Sequence, residues 1–127
     1  MIVVDGSALF AVLLDEEEGQ KCEAALVGNV LAMSAGSYAE ALIVAAGKRI
    51  NEQFRAFFDG LSVEVFPLTP ERAEAAADAY RRWGKGFHNA KLNLAYSFAY
   101  ALARELGLPL LHTGDDFAMT DIRSALA

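Results

Sequence analysis

The sequence predicts an α/β fold, a parallel β-sheet flanked by helices, and three observations carry that expectation. Short apolar runs of strand length alternate with helix-length amphipathic segments along the 127 residues. The connections between them are short, and an acidic residue follows the first and the last apolar run. In parallel sheets of this kind chemistry collects beyond the carboxyl ends of the strands.

The elements follow in order. Ile2 to Val4 (IVV) reads as a buried strand ending at Asp5, and Ser7 to Leu14 (SALFAVLL) as a helix. Glu16 to Val27 reads as a second, more exposed helix, and Val30 to Met33 as a strand. A helix is expected from about Tyr38 to Lys48, helical spacing recurs over Asn51 to Leu61, and VEVF at Val63 to Phe66 is a strand. Thr69-Pro70-Glu71 is a helix start, with Thr as N-cap, Pro at the first helical position and an acid in the first turn. That helix runs to Trp83 and stops at Gly84. The stretch LNLAYSFAYALAREL gives the next helix, Pro109 to His112 (PLLH) the last strand, and DFAMTDIRSAL a short helical tail. No repeat, low-complexity tract or linker divides the chain, so one domain over 1–127 is expected.

Composition narrows the function classes. Hydrophobic residues make up 54% and charged residues 22%, which is globular, and no apolar run reaches the eighteen residues of a membrane span. MIVVDGSAL lacks the basic start of a secretory signal, and the lone Cys22 reads as a buried, inert thiol, so a cytoplasmic protein is expected. A net charge of −6 argues against coating nucleic acid by bulk electrostatics. It leaves room for an enzyme with a local basic patch and a bound cation, which reverses the sign of an acidic site.

The acids each have two readings. Asp5 is either the N-cap of the first helix or a ligand for a hard cation such as Mg²⁺. Ser37-Tyr-Ala-Glu40 spells a capping box, in which Glu40 needs no catalytic role. Asp115 and Asp116 lie in a Gly-containing turn, where one caps the tail or a cation offsets their repulsion. Ser7 either holds Asp5 or a ligand water, or simply begins the helix. Arg81, Arg82, Lys85 and Lys91 supply four of the eleven Lys and Arg residues and interleave with Tyr80, Trp83, Phe87 and His88. Basic groups beside aromatic faces suit a grip on single-stranded nucleic acid, although a solvated helix end gives the same pattern.

These blocks together resemble the PIN-domain ribonucleases of the VapC type, the toxin half of bacterial toxin–antitoxin pairs. The resemblance runs nearly end to end and rests on IVVDGSAL, SAGSYAEALIV, YRRWGKGFHNAKLN, FAYALARELGLPLL and GDDFAMTDI. It implies a PIN-like parallel sheet, a cleft of acids that binds Mg²⁺ or Mn²⁺, and metal-dependent endonucleolytic cleavage of RNA. It also implies a homodimer and a VapB-type antitoxin that enters the cleft. Residue by residue, the family's acids fall on Asp5, on Glu40 and on Asp115 or Asp116, with Asp5 and Asp115 as metal ligands, and its early hydroxyl falls on Ser7. Ser7, Arg81, Arg82, Lys85, His88 and Lys91 take the substrate-binding role.

Three positions depart from that pattern. Gly6 stands where the family has a hydroxyl residue, and Phe87 where it has a basic one. Ala95-Tyr96 stands in LNLAYSFAYALA where the family reads Gly-Asp. A phenol is neutral at pH 7, with a reference pKa near ~10, and Mg²⁺ favours charged oxygen. Weakened metal binding and lowered activity are therefore expected, with a PIN domain that binds antitoxin or RNA without cutting as the alternative.

Overall fold

The computed structural model describes residues 1–126, so the last position of the expected 1–127 domain, Ala127, lies outside the described residues. Four strands, β1 (Ile2–Val4), β2 (Leu31–Ser34), β3 (Glu64–Phe66) and β4 (Leu110–Leu111), form one sheet in the order β3-β2-β1-β4. All three pairings are parallel, with Val3 opposite Ala32 on one side and Leu110 on the other. The first strand is therefore central, and its carboxyl end delivers Asp5 to the middle of the sheet edge.

Strand periodicity sorts the core into two layers. Ile2, Val4, Leu31, Met33 and Leu111 pack into one cluster with α1 (Gly6–Leu13), α2 (Gly19–Val27), α3 (Ala35–Gly47) and α4 (Asn51–Leu61). Val3, Ala32 and Leu110 pack on the other face, against α5 (Pro70–Trp83) and α6 (Leu94–Leu106). Strands buried on both faces explain why β1 and β2 read as continuous apolar runs.

Several boundaries move, each for a local reason. The second helix begins at Gly19 rather than Glu16, because Asp15 adopts a positive φ of 53° and the chain turns sharply there. Gly19 is required at that corner, since a Cβ on it would lie 2.6 Å from the Ala11 carbonyl oxygen. The third helix begins at Ala35, directly off β2, because the Ser34 hydroxyl accepts the Gly36 N–H at 3.1 Å. Ser37 is thus inside the first turn and the expected capping box is absent, which leaves Glu40 in the second turn with no capping duty.

The start of α5 is as expected, with Thr69 Oγ1 accepting the Arg72 N–H at 3.2 Å and Gly84 ending the helix. The last strand is shorter than expected. The tail from Asp116 forms turns instead of a helix and closes by a bridge between Ser124 and Leu110. Backbone pairing with β4 holds that segment, as Leu110 N–H donates to Arg123 and Ala125 N–H to Leu110. No helix among the described residues is long and apolar enough to cross a membrane.

Candidate acidic cleft

Asp5 sits where β1 passes into α1, and it is 2% exposed. Its Oδ2 accepts the Ser7 N–H at 3.0 Å, and its own N–H donates to the Leu111 carbonyl at 2.9 Å. The capping reading is therefore correct, and it does not exhaust the residue. Burial pushes the Asp5 carboxyl above the usual range; bonding at Ser7 and the nearby His112 oppose that, while Asp116 adds to it.

Glu40 approaches from α3. Its Oε1 lies 4.0 Å from the point where a Cβ on Gly6 would stand, which sets it beside the residue that follows Asp5. Partial burial and then the Asp5 charge push the Glu40 carboxyl up. Of the adjacent pair Asp115 and Asp116, it is Asp116 whose charge reaches Asp5, Tyr96 and His112. Both are exposed, and the Asp115 carbonyl accepts the Ala118 N–H within the turn.

Tyr96 stands in the first turn of α6, whose N-cap Asn93 accepts the Tyr96 N–H at 2.8 Å. Its half-buried phenol is held far above the usual range, first by burial and then by the charges of Asp116, Asp5 and Glu40. The charges of all three acids thus act on one neutral ring. That ring packs on Phe117 at 5.2 Å between centroids, and His112 packs on the same Phe117 at 4.7 Å.

Two residues of this region carry no signal in the sequence reading. His112 follows β4 beside Asp5, and burial holds its imidazole below the ordinary value against the pull of that carboxylate. Its place directly after the last strand was the available clue. Asp121, in the TDI of the tail, accepts the Tyr100 hydroxyl and, at 3.2 Å, Arg104, with Arg82 at 3.6 Å. Ser7 also does more than begin a helix, since its hydroxyl accepts the Thr113 N–H at 3.1 Å and ties α1 to the acidic turn.

The basic segment is organised by its aromatics. Trp83 meets His88 at 4.8 Å and Tyr100 at 6.2 Å, and Tyr80 meets Phe87 at 5.9 Å, all edge-on. A bridge between Gly84 and Leu92 closes the loop. Arg82 stacks over Trp83 at 4.7 Å while paired with Asp121, and Arg81 pairs with Asp78. Lys85 and Lys91 are exposed. His88 is half-buried, and its Nδ1 accepts the Ala90 N–H at 2.9 Å, which fixes the loop rather than freeing the ring.

Chemically the cleft suits a hydrated hard cation. Carboxylates that raise one another's pKa gain from a positive charge between them, and Mg²⁺ typically takes one or two carboxylates and keeps several waters. Among the described residues no three His, Cys, Asp or Glu side chains stand together at metal-ligand spacing, so a closed protein cage does not fit. An open site on Asp5, with Glu40 and Asp116 beside it, does.

Comparison with known proteins identifies the family and the fold. The PIN domain family matches residues 2–122. A ribonuclease VapC of Mycolicibacterium smegmatis is 39% identical over 125 residues, covering 95% of this chain and 97% of the relative. Ribonuclease VapC30 of Mycobacterium tuberculosis is 39% identical over 125 residues, covering 95% of each. Among solved structures, Mycobacterium tuberculosis VapC20, a sarcin-ricin loop cleaving toxin, superposes with a TM-score of 0.78 at 17% identity over 96% of both chains. A toxin–antitoxin complex from Klebsiella pneumoniae gives 0.71 at 18% identity, covering 100% of this chain and 98% of that one. At such identities these two structures speak to the fold.

Proposed function

The chain belongs to the PIN-domain family and, within it, to the VapC ribonuclease toxins, and from that premise we propose that it is a metal-dependent endoribonuclease, the toxin of a toxin–antitoxin pair. The observation that carries this reading is the placement of Asp5 at the carboxyl end of the first strand, with Glu40 Oε1 4.0 Å from the Cβ position of the neighbouring Gly6 and the turn that leads to Asp116 tied to Ser7 by the Thr113 N–H. Asp116 takes the place first given to Asp115, because its charge is the one felt by Asp5.

In this reading Asp5 and Asp116 hold Mg²⁺ or Mn²⁺, directly or through water. The ion, when bound, supplies Lewis-acid stabilisation of phosphoryl oxygen and a more acidic water. Glu40, raised above the usual carboxylate range by burial and by Asp5, orients the attacking water and accepts its proton. Exposed Lys85 and Lys91 attract the RNA backbone, with Arg81 and Arg82 drawn partly into intramolecular pairs. His88 serves as the packed anchor of that loop. The partners that follow are RNA, a VapB-type antitoxin and a second copy of the chain as a homodimer, with 1–127 acting as one cytoplasmic domain.

Tyr96 lowers this activity in the proposed scheme, because it brings a neutral ring where its relatives' pattern has a carboxylate. The same ring favours a second reading, a domain that binds antitoxin or RNA without cutting. Incubation of the purified protein with total cellular RNA, with Mg²⁺ or Mn²⁺ and with EDTA, tests both. Cation-dependent fragments lost on Asp5→Asn support the ribonuclease; RNA binding without fragments at any cation level supports the second reading.

A further inference from the structure

Four aromatic rings stand among the cations between Tyr80 and Lys91, and the structure commits three of them to the protein. Trp83 is half-buried, with Arg82 over its ring and edge-on contacts to His88 and Tyr100. His88 is half-buried against Trp83, and Tyr80 is half-buried with its hydroxyl donating to the Lys85 carbonyl at 3.3 Å. Phe87 is the exception, at 62% exposed. Its contact with the Tyr80 ring is edge-on, with the planes 75° apart, and such a contact covers at most one face of the Phe87 ring. The other face is turned to water.

The loop holds that ring in place. The Gly84 carbonyl accepts the Phe87 N–H at 2.9 Å and the His88 N–H at 3.0 Å, and the Lys85 N–H donates to the Leu92 carbonyl at 3.0 Å. Glycine is required at the base of the loop, because a Cβ on Gly84 would run into the Tyr80 carbonyl oxygen. Gly86 has a φ of 89°, and nothing lies within 4 Å of the point where its Cβ would stand, so the space beside Phe87 is open. Lys85 and Lys91 are exposed and form no ion pair among the described residues. The loop runs through buried Leu92 to Asn93, the N-cap of α6, whose first turn carries Tyr96.

We propose that Phe87 is a substrate-binding residue, a platform on which one unpaired base of a single-stranded RNA stacks while Lys85 and Lys91 hold the adjacent phosphates. Every base presents a π-face, so the platform selects unpaired nucleotides over paired ones rather than one sequence. A ring fixed in advance by its loop binds without the cost of ordering it. The inference deepens the ribonuclease reading, on which it rests, by naming what the basic segment recognises in its RNA.

The test is fluorescence anisotropy with a short labelled single-stranded RNA in EDTA, for wild type, Phe87→Ala, Phe87→Leu and Phe87→Tyr, with thermal unfolding alongside. Loss of one base–aromatic stack weakens binding about 5- to 150-fold. Phe87→Ala is expected to fall in that range, with the salt dependence unchanged, because no charge is lost, and with thermal stability unchanged. Phe87→Leu keeps apolar bulk without a π-face and should fall with it, whereas Phe87→Tyr keeps the ring and the wild-type affinity. An abasic residue moved along the RNA should weaken wild type at one position and leave Phe87→Ala indifferent there. Wild-type affinity in Phe87→Ala overturns the proposal and leaves the exposed ring to a protein partner. Wild-type affinity in Phe87→Leu overturns it in favour of apolar contact alone, and a marked loss of thermal stability in Phe87→Ala overturns it by showing that the ring serves the fold. A wild-type protein that binds this RNA but cuts none with Mg²⁺ or Mn²⁺ overturns the ribonuclease reading and leaves the platform standing. One that neither binds nor cuts RNA overturns both.

Discussion

The Tyr96 ring lies 5.2 Å from that of Phe117, the residue after Asp116, so the head of α6 is packed directly onto the turn that carries the last acid of the cleft. Replacing this ring therefore changes charge and packing at once. Tyr96→Asp should destabilise the metal-free protein by about 2 kcal/mol, through the missing ring and a fourth nearby carboxylate. Mn²⁺ should then stabilise the variant more than it stabilises wild type, because tighter binding to the folded state raises apparent stability. Urea unfolding with and without Mn²⁺, beside RNA cleavage, checks this; a variant that gains neither metal affinity nor activity removes Tyr96 from the working site.

Asp5 separates its two duties by substitution. Asparagine caps helices about as well as aspartate, so Asp5→Asn keeps the bond from Ser7 N–H and removes a buried charge. Asp5→Asn should match or exceed wild-type stability at pH 7, and Asp5→Ala should fall about 1 kcal/mol below Asp5→Asn. The folded-state pKa of Asp5 is raised, so its charge costs stability above that pKa, and the cost fades as pH falls toward the unfolded value. Any advantage of Asp5→Asn in denaturant unfolding should shrink in that window. Both variants should lose cation-dependent cleavage.

How far the chain could be read depended on where each signal resides. Strand and helix order was legible because β1 and β2 are buried on both faces and Thr69-Pro70 and Gly84 punctuate α5 locally. The start of α3 was not, since Ser34 and Ser37 both satisfy the N-cap rule and only the strand pairing of Met33 and Ser34 decides between them. Asp5 and Glu40 were legible as acids after strands, but the choice between Asp115 and Asp116 depends on a turn with Gly114 at φ 76°. His112 and Asp121 gain their neighbours through tertiary packing, which no spacing rule records.

Asp121 should act as an anchor rather than a ligand. It draws Tyr100, Arg104 and Arg82 onto the tail that follows Asp116, and its pKa is lowered first by the Tyr100 bond and then by the two guanidinium groups. Its side chain is 35% exposed, so solvent screening limits the effect, and Asp121→Asn should cost about 1 kcal/mol. A lowered folded-state pKa contributes stability that is present above the unfolded value and lost as pH falls through the folded one. The gap between wild type and Asp121→Asn in urea unfolding should therefore close in acid below the ordinary aspartate range. A gap that persists there assigns the loss to packing.

The basic segment should divide into free and engaged cations. Lys85 and Lys91 are exposed, whereas Arg82 is stacked on Trp83 and paired with Asp121. On a single strand, each phosphate that a bound protein neutralises adds about 0.7 to the slope of log K against log salt. Lys85→Ala and Lys91→Ala should each flatten that slope by roughly this amount while leaving thermal stability unchanged. Arg82→Ala should change the slope less and lower stability, because its guanidinium serves the fold before it serves the RNA. Fluorescence anisotropy with a short labelled RNA in EDTA, at several salt concentrations, measures the slopes without cleavage. Equal slopes in all four proteins would place the RNA grip elsewhere on the molecule.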